Sequence, residues 1–435
     1  MIRADDKAAV AAGADAGPAA DSLSRSALTE RALRAAYIKP TSDEFWHGRL
    51  YEGPVARPKV VWKSTDKPRA DHECPKWLTA SEFQDTCDVM AAKIDALAQL
   101  LRASRKTVLY TGAGISASQI GQAAKSGVNV VGFKAATREA QPTPTHKALA
   151  VLQKAGLIHS WIQQNHDGLP QKAGYPQHAI NEIHGAWFDP SNPVIRYSGS
   201  LDEVNCEWLM DDAATADLVL VLGTSLSGLT ADQLVTDTAK RSRGGSALGA
   251  VCINLQQTPQ DGKMSLRLFG KSDNVLDALL GNLGLGSVDT HPAPIWPKLD
   301  RALVPYDADG QRLPEGSDAD WMVLNLTPGA AVKLSPHHNC QGAKQPRYMH
   351  IGAKKPYKLP TGAVRQPGPG NGKVIRRYDA TTSWELQIEG ITVRVGFWWM
   401  AEALTGSVPR IPIVNREPIF LPKDSKLPPR GAPKP

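Results

Sequence analysis

Short apolar runs that end abruptly alternate with helical patterns through the middle of the chain. Four runs rich in β-branched and aliphatic residues are predicted strands, at positions 107–110, 158–163, 218–222 and 250–255. The segments between them carry apolar residues at helical spacing. Strands that alternate with helices predict a parallel sheet covered on both faces. We therefore expect a doubly wound α/β domain over residues 104–290.

The segment before this domain predicts a different architecture. Residues 41–103 begin as an irregular, Pro-punctuated stretch and end as a helix that leads into the domain. The tetrapeptide Thr79-Ala-Ser-Glu82 has the form of a capping box. The apolar residues that follow at helical spacing are Phe83, Met90, Ile94, Leu97 and Leu101. The pattern predicts an amphipathic helix that starts close to Thr79.

Period-two alternation of apolar and polar residues returns in the last third of the chain. It marks four further strands, at 321–326, 374–378, 384–388 and 391–398. They predict a small β-rich accessory module over residues 320–417, joined to the α/β domain by a Pro-rich linker over 291–319. Residues 1–40, with room for one short helix, and the basic, Pro-rich tail 418–435 are predicted to be disordered.

Composition limits the classes of protein to consider. The chain is 42% hydrophobic and 21% charged, as in globular proteins, and it has no uninterrupted run of 18 apolar residues. No membrane partner is expected. The N-terminus does not have the pattern of a secretory signal. Five cysteines lie far apart without a C-x-x-C pair, which is typical of a reducing compartment. We expect an intracellular protein, without choosing among nucleus, cytoplasm and mitochondrion.

The positive charge is concentrated near the C-terminus. From residue 331 onward there are 17 Lys and Arg against 6 Asp and Glu, whereas the whole chain has a net charge of +7. Such a region suits an anionic partner such as nucleic acid, or a larger assembly. Basic and aromatic residues mix there, at Lys354, Lys355, Tyr357, Arg376, Arg377, Tyr378, Trp384, Trp398 and Trp399. The alternative is a basic surface with a solvated tail, in which the period-two aromatics belong to a core.

A glycine-rich turn follows the first predicted strand. Residues Gly112 to Ala117 read Gly-Ala-Gly-Ile-Ser-Ala, which fits the G-x-G-x-x-G/A pattern of Rossmann-like domains. Glycines there let backbone N–H groups at a helix N-terminus approach a pyrophosphate. The acidic residue that dehydrogenases place about 20 positions later is missing. The turn therefore predicts a dinucleotide site and disfavours an ordinary dehydrogenase.

Five motifs follow one another in a distinctive order. They are Gln141 to His146 (Gln-Pro-Thr-Pro-Thr-His), Gln164 to Leu169 (Gln-Asn-His-Asp-Gly-Leu), Glu182 to Gly185 (Glu-Ile-His-Gly), Gly223 to Leu226 (Gly-Thr-Ser-Leu) and Ile253 to Leu255 (Ile-Asn-Leu). With them the chain resembles the sirtuin family, and within it the nuclear branch whose members deacylate lysines and transfer ADP-ribose. The resemblance covers about 180 residues.

The resemblance implies NAD as cofactor and an acylated-lysine protein or peptide as partner. It assigns His184 as general base, and Asn165 and Asp167 to the pocket for nicotinamide and its ribose. In the family chemistry, nicotinamide leaves and the acyl oxygen captures the ribose carbon, while an imidazole takes a proton from a ribose hydroxyl. The residues expected to bind NAD are Gly112, Ala113, Gly114, Ser116, Gln164, Gly223, Thr224, Ser225 and Asn254.

Each of these residues also has a structural interpretation. Asn165 and Asp167 are common in turns that follow a strand, a lone His184 can be a satisfied core histidine, and Gly223 to Ser225 can start an ordinary helix. His146 is assigned to helix packing. The joint order of the motifs, and no single member, supports the functional interpretation.

Two departures separate this chain from the family pattern. Gly121 to Ala124 (Gly-Gln-Ala-Ala) replace a Pro-Asp-Phe-Arg segment that covers the reactive ribose. Only 37 residues separate Gly185 from Gly223, and Cys206 is the sole cysteine among them, so the family's four-cysteine zinc module is absent and no metal is expected. Residues Pro193 to Tyr197 then correspond to the strand that pairs with the peptide.

Three hypotheses follow. The first is an NAD-dependent protein-lysine deacylase, and the second is an NAD glycohydrolase or ADP-ribosyltransferase with the same architecture. The third is a catalytically silent NAD-binding scaffold in a larger assembly. A separate set, His337, His338, Cys340 and His350, matches no recognised metal-ligand spacing.

Overall fold

A computed structural model describes residues 24–66, 78–122, 126–127, 132–134, 136–195, 200–338 and 370–427 of the chain. The α-helices of these residues are α1 (Arg25–Arg34), α2 (Cys87–Ala103), α3 (Pro144–Lys154), α4 (Leu169–Lys172), α5 (Glu203–Thr215), α6 (Gln233–Arg243), α7 (Ser272–Asn282) and α8 (Trp398–Thr405). Among them, no helix combines the length and the apolarity that crossing a membrane requires.

The strands of the described residues are β1 (Lys59–Trp62), β2 (Glu82–Gln84), β3 (Thr107–Thr111), β4 (Gly121–Gln122), β5 (Gly132–Phe133), β6 (Ser160–Gln163), β7 (Ile180–Glu182), β8 (Leu218–Leu222), β9 (Gly249–Ile253), β10 (Leu266–Leu268), β11 (Arg301–Val304), β12 (Trp321–Asn325), β13 (Ala331–Leu334), β14 (Asn371–Tyr378), β15 (Ser383–Ile388), β16 (Ile391–Gly396), β17 (Ile413–Asn415) and β18 (Ile419–Leu421).

A parallel sheet of the order β10-β9-β8-β3-β6-β7 forms the centre of the α/β domain. Every residue of β8 is buried, because its side chains alternate between two cores. One core is shared with α2, α3 and α7, and the other with α5 and α6. Burial on both faces explains why the strand sequence is continuously apolar. The doubly wound, Rossmann-like α/β fold is thus confirmed, with all four predicted strands in the sheet.

The C-terminal part forms a separate antiparallel unit, here called the β module, which consists of β11 to β18 and α8. Its strands lie in two sheets of the orders β16-β15-β14-β13-β17 and β11-β12-β18. The shared core includes Trp384, which is fully buried, and Phe188 from the α/β domain. The predicted β-rich module is confirmed, and its core also joins it to the α/β domain.

The N-terminal segment contains the one short helix for which the prediction left room, and that helix packs on the α/β domain. Within the range expected to be disordered, α1 buries Leu28 and Ala32 in the core of the α/β domain, and Arg25 Nη2 donates to Asp217 Oδ1 at 2.8 Å. Two apolar residues four positions apart are a weak sequence signal, but they suffice once a docking surface is present. Residues 1–23 lie outside the described part.

The helix start near Thr79 was wrong. Helix α2 begins at Cys87, whereas Glu82–Gln84 is strand β2 and pairs with β1. The Phe83 N–H also donates to the Leu255 carbonyl oxygen at 2.9 Å, and its ring packs on Trp46. Strand pairing and aromatic packing supply long-range contacts that outweigh a local capping pattern. Met90, Ile94, Leu97 and Leu101 lie on α2 as predicted.

Three boundaries near the β module also differ. The predicted linker contains β11, and the predicted tail contains β18; both pair with β12, the former on one side and the latter on the other. The predicted strand 391–398 ends at Gly396, and Trp398 instead opens α8. Helix α8 buries Trp398 and Trp399 against the α/β domain. Pairing with a distant strand therefore orders segments whose own sequences carry a weak signal.

Candidate functional site

The glycine turn after β3 touches the loop after the neighbouring strand β8. The Gly114 N–H donates to the Gly223 carbonyl oxygen at 2.8 Å, and the Gly112 N–H donates to the Leu222 carbonyl oxygen at 3.1 Å. A Cβ atom at Gly114 would lie 2.7 Å from Gly223 Cα. Gly223 itself has φ +60°, a conformation that favours glycine. Glycine is required at both positions because the two backbones are in contact.

The loop after β6 adds side chains to this pair of turns. The Asn165 side-chain amide donates to the Gly112 carbonyl oxygen at 3.0 Å and to Ser116 Oγ at 3.2 Å. Ser116 Oγ donates in turn to Asp167 Oδ2 at 2.7 Å. Gln164 Nε2 donates to Thr224 Oγ1 at 3.0 Å. The predicted residues of three loops therefore form one hydrogen-bonded cluster.

The two carboxylate oxygens of Asp167 accept hydrogen bonds from different parts of the site. Its Oδ1 atom accepts from the Leu169 N–H at 3.0 Å, which caps the short helix α4, while Oδ2 holds Ser116. The side chain is buried, with 3% of the residue exposed. The turn role and the cluster role use different oxygen atoms, so neither excludes the other.

His184 follows β7 and lies beside the same loop. Its Nδ1 atom is 3.2 Å from the Gln164 carbonyl oxygen. Because a carbonyl oxygen only accepts, the neutral imidazole carries its proton on Nδ1 and a lone pair on Nε2. Burial lowers the pKa of His184, and the bond to Gln164 offsets only part of that effect. A neutral ring with a basic Nε2 is the form that a general base needs.

The last predicted residue, Asn254, follows β9. Its side-chain amide donates to the Thr224 carbonyl oxygen at 3.1 Å and so fixes the loop after β8. Ser225 in that loop is exposed, as are Ala113 and Gly114 in the glycine turn. This edge of the sheet thus exposes backbone groups and the Ser225 hydroxyl to solvent, and hydrogen bonds among the buried parts of the loops hold them in place.

The sheet order explains why these residues meet. The loops follow five adjacent parallel strands, so all of them leave the same carboxyl edge of the sheet. The chain moves from β3 to β6 and β7 on one side, and then returns to β8 and β9 on the other. The strand order reverses between β3 and β8, which is the position where open α/β sheets bind ligands. The glycine turn and the Gly223 to Ser225 loop flank that position.

Several residues near the site were missed or given another role by the sequence. Asp232 is buried and accepts from Tyr110 Oη at 2.7 Å and from the Gly228 N–H at 2.8 Å, which fixes the loop after β8. His146 lies 3.4 Å from Ser116 Oγ, and burial lowers its pKa to about 4. A permanently neutral, buried ring agrees with its assignment to packing. No sequence signal marked Asp232.

Two elements of the family comparison fall partly outside the described residues. Ala123 and Ala124 of the stretch that replaces the ribose cover lie outside them, as do Arg196 and Tyr197. Of the segment expected to pair with a peptide, Pro193 to Ile195 are described; the Ile195 N–H donates to the His184 carbonyl oxygen at 3.0 Å, and Val194 is 43% exposed. The start of that segment is therefore tied to His184.

The basic and aromatic residues of the last third are largely engaged inside the β module. Arg376 pairs with Glu385 at 2.6 Å, and Arg377 approaches Asp300 at 3.5 Å. Trp384, Trp398 and Trp399 are buried, so their rings belong to the core, as the alternative interpretation held. Lys354, Lys355 and Tyr357 lie outside the described residues.

The histidine set near residue 338 is likewise divided. Cys340 and His350 lie outside the described residues, whereas His337 and His338 are buried and stacked. His338 Nδ1 pairs with Asp189 at 2.5 Å. Within the described ranges, no group of three or more His, Cys, Asp or Glu side chains is arranged to hold a metal ion.

Comparison with known proteins places these motifs in a family. The model described as "Sir2 family" matches residues 128–191. The chain is 29% identical over 253 residues to the NAD-dependent protein deacetylase SRT1 of Arabidopsis thaliana, covering 47% of this chain and 52% of that protein. It is 30% identical over 255 residues to the NAD-dependent protein deacetylase sirtuin-7 of Rattus norvegicus, covering 47% and 63%.

A fly relative and a solved structure extend the comparison. The NAD-dependent protein deacetylase Sirt6 of Drosophila melanogaster is 28% identical over 261 residues, which cover 48% of this chain and 80% of that protein. A structure described as "Structural Basis for the Mechanism and Regulation of Sir2 Enzymes" has a TM-score of 0.38 and 23% identity, and covers 44% of this chain and 98% of that one.

The alignments account for part of each molecule. The chain spans about half of the Arabidopsis relative and just under two thirds of the rat relative. The range matched by the family model, residues 128–191, contains the Asn165 loop and His184. In the family-model match, in these relatives and in the order of its motifs, the chain is similar to the Sir2, or sirtuin, family.

Proposed function

We propose that the protein is an NAD-dependent protein-lysine deacylase that releases nicotinamide with His184 as general base. The observation that carries this proposal is the His184 ring, which presents a basic Nε2 at the edge where the Asn165 and Asp167 loop meets the glycine turn. The relatives named above are described as NAD-dependent protein deacetylases.

The position of the loops, their exposed groups and their supporting side chains fit NAD. The glycine turn and the Gly223 loop approach so closely that Cβ atoms would collide, and they flank the position where a pyrophosphate binds in this fold. Exposed backbone at Ala113 and Gly114, together with Ser225, would hold the phosphates. Asn254 would lie near the adenosine ribose, while Ser116 and Gln164 would support the turn and the Thr224 loop. Bound NAD supplies an activated ribose carbon with nicotinamide as leaving group.

The chain's own groups then define the reaction. Asn165 and Asp167 are held in fixed orientations and would position the nicotinamide and its ribose. The neutral His184 would take a proton from a ribose hydroxyl while the acyl oxygen of a modified lysine attacks. The exposed Val194, next to a segment bonded to His184, is where the acylated-lysine peptide would lie.

A second candidate function has one observation in its favour. The stretch from Gly121 to Ala124 has no carboxylate, aromatic ring or guanidinium where the family pattern places them. A bare cover admits water or another nucleophile to the activated ribose. NAD glycohydrolysis or ADP-ribosyl transfer is therefore the alternative, and a silent NAD-binding scaffold is the remaining outcome.

One assay separates these functions. Nicotinamide release from NAD is measured with and without an acylated peptide, for the natural chain and for His184→Ala. Deacylation requires peptide-dependent release, hydrolysis or transfer gives peptide-independent release, and a scaffold gives none in either case. Loss of the base should reduce the rate at least about 100-fold. A His184→Ala variant with full activity would remove His184 from the mechanism.

The expected setting of the protein is intracellular. Cys87, Cys206 and Cys252 are free thiols in the structure, which suits a reducing compartment. The basic residues between 339 and 369 supply the charge for the proposed contact with nucleic acid or with a larger complex. Both proposals depend on parts of the chain outside the NAD site and can fail without affecting it.

A further inference from the structure

A buried set of polar side chains crosses the boundary between the α/β domain and the β module. This set, here called the interdomain network, consists of Gln171, Gln177, Glu182, Trp398 and Glu402, each less than 9% exposed. Buried polar groups are retained when their hydrogen bonds are satisfied. The network therefore defines a specific geometry between the two units.

Gln177 is the centre of the network. Its side-chain oxygen accepts from Trp398 Nε1 at 2.9 Å and from Gln171 Nε2 at 3.1 Å. Its side-chain nitrogen donates to Glu182 Oε2 at 3.3 Å. Its backbone N–H donates to Glu402 Oε1 at 2.6 Å. Helix α8 of the β module, which carries Trp398 and Glu402, is thus connected through Gln177 to the strand end at Glu182.

Both ends of the network on the α/β side lead to candidate site loops. Glu182 is the last residue of β7 and lies two positions before His184. Its carbonyl oxygen accepts from the Gly185 N–H at 2.8 Å, which closes the turn around His184. Gln171 lies on α4, the helix capped by Asp167. A displacement of Gln177 would therefore reach the His184 turn and the Asp167 loop together.

We propose that Gln177 and Glu182 are positioning residues for the reaction at His184, and that helix α8 of the β module holds them in place through Trp398. This inference rests on the proposed function, since it names the device that orients the proposed base. The β module would then help to orient His184, through Trp398 and Gln177.

The protonation state of Glu182 supports this arrangement. Burial, followed by the nearby Asp189 carboxylate, raises the pKa of the Glu182 carboxyl to about 8. Hydrogen bonds from the Gln177 and Gln171 side chains to this carboxyl lower its pKa and offset part of that rise. A carboxyl that is protonated at neutral pH can still accept from Gln177 Nε2, which lies 3.3 Å from Glu182 Oε2. The charged and titratable groups around the network are Asp167, Lys172, His178, Asp189, His338 and Glu402.

Two adjacent tryptophans allow a matched comparison in the full-length chain. Trp398 and Trp399 are both 2% exposed on α8, and each donates an indole N–H across the boundary. Trp398 bonds Gln177, whereas Trp399 bonds the Phe188 carbonyl oxygen at 3.2 Å. Trp398→Phe and Trp399→Phe each remove one such bond and keep an aromatic ring. Their effects on folding should be similar, and their effects on His184 should differ.

The expected result for Trp398→Phe is a lower kcat with a nearly unchanged KM for NAD. Trp398→Phe should lower kcat for nicotinamide release about tenfold, the loss expected for one neutral hydrogen bond, with KM for NAD changed less than about twofold. Trp399→Phe should leave kcat within about twofold. Equal losses in kcat, or no loss in Trp398→Phe, would overturn the inference.

A second pair of variants tests Glu182 without touching the aromatic core. Glu182→Gln keeps a neutral hydrogen-bonding group and should retain kcat at pH 7, whereas Glu182→Leu should lose it. The natural chain should lose kcat as the pH rises through about 8, and Glu182→Gln should not. If Glu182→Gln shows the same alkaline decline as the natural chain, Glu182 does not position the site.

A spectroscopic readout separates this inference from the proposed function. If the natural chain releases no nicotinamide, the proposed function fails, and the imidazole resonance of His184, assigned with His184→Gln, then tests the network. That resonance should shift in Trp398→Phe and remain in place in Trp399→Phe. An unchanged His184 resonance in both variants would refute the positioning role even for an inactive chain.

Discussion

Ser116 Oγ donates a hydrogen bond to Asp167 Oδ2 at 2.7 Å, between the loops that follow the adjacent strands β3 and β6. The bond joins the glycine turn to the Asn165 loop at a position where both residues are buried. Since the other carboxylate oxygen caps α4, Asp167 can neither rotate nor shift without breaking a bond. These two bonds therefore fix the orientation of the Asp167 side chain.

Asp167→Asn should weaken NAD binding. In asparagine only Oδ1 still accepts, so the amide nitrogen opposes the Ser116 hydroxyl or the Leu169 N–H, and that hydrogen bond is lost or, at Ser116, reversed in direction. Removing a hydrogen bond to a charged group costs about 1.5–3 kcal/mol, which corresponds to roughly a 10- to 100-fold rise in Kd. Calorimetric titration with NAD measures the Kd of each variant. Asp277→Asn is the control, because Asp277 also accepts from a backbone N–H, that of Val288 at 2.8 Å, away from the site. Equal Kd values for the two variants would contradict the assignment.

Gly114→Ala should remove NAD binding and lower the melting temperature. The new Cβ atom would lie 2.7 Å from Gly223 Cα and 2.9 Å from the Gly223 carbonyl oxygen, and both are backbone atoms that cannot move independently. Gly281→Ala, near the end of α7, provides the control, since no atom lies within 4 Å of its added Cβ. That variant should match or exceed the natural stability by up to about 1 kcal/mol. Thermal unfolding with and without NAD tests both variants.

The rate of nicotinamide release should rise with pH through a midpoint below 6.5. Burial lowers the pKa of His184 from its ordinary value of 6.5, and the deprotonated ring is the proposed base. Activity should therefore be complete at neutral pH and lost on acidification. The dependence of kcat/KM on pH reports the pKa of the free enzyme. An acidic limb centred above pH 6.5 would show that a different group controls the step.

The sequence predicted that the motif residues meet at one edge of the sheet, because each motif lies directly after a strand. Gly112, Asn165 and Thr224 follow runs whose apolar character is unmistakable, and parallel strands bring their carboxyl ends to one edge whatever the order of the sheet. The order itself, and thus the reversal between β3 and β8, could not be derived from periodicity. It follows from which strands pair, which is a long-range property.

The interdomain network could not be predicted for the same reason. Gln177 and Glu402 are 225 positions apart, and neither lies in a motif. In the sequence, Glu182 is marked only as a neighbour of His184. An acidic residue in a buried strand is nevertheless unusual and indicates that it has hydrogen-bond partners. Trp398 was assigned to a strand because its neighbours alternate, whereas packing against Phe188 and Gln177 stabilises a helix there.

The proposed binding of nucleic acid should depend on Lys354 and Lys355 more than on Arg376. Arg376 is already paired with Glu385, so Arg376→Gln should change the salt dependence little. Replacing both Lys354 and Lys355 by Gln should reduce the slope of log affinity against log salt by about two, or one unit for each phosphate contact. Fluorescence anisotropy with a labelled duplex at several salt concentrations measures this slope. Binding that is insensitive to salt, or undetectable, would remove the proposed partner.

The stability of the folded chain should fall as the pH rises from 6.5 to 8. Glu182 has its folded pKa raised to about 8 from an ordinary value of 4.5, so between those values the folded state binds a proton that the unfolded state has released. Stability then decreases with pH, by at most about 1.4 kcal/mol per pH unit for one group. Denaturant titrations at several pH values give this slope.

The window from pH 6.5 to 8 isolates Glu182 from opposing groups. The pKa of His146 is lowered from 6.5 to about 4, so the unfolded state binds a proton there that the folded state does not. The free energy of unfolding therefore rises between pH 4 and 6.5, and His146 causes no further pH dependence above 6.5. Lys93 and Lys172, lowered to about 8 from 10.5, act only above pH 8. Glu182→Gln should therefore flatten the profile from 6.5 to 8, while Glu315→Gln, at an exposed position, should leave it unchanged. A slope that persists in Glu182→Gln would show that another group causes it and that Glu182 is ionised in the folded protein.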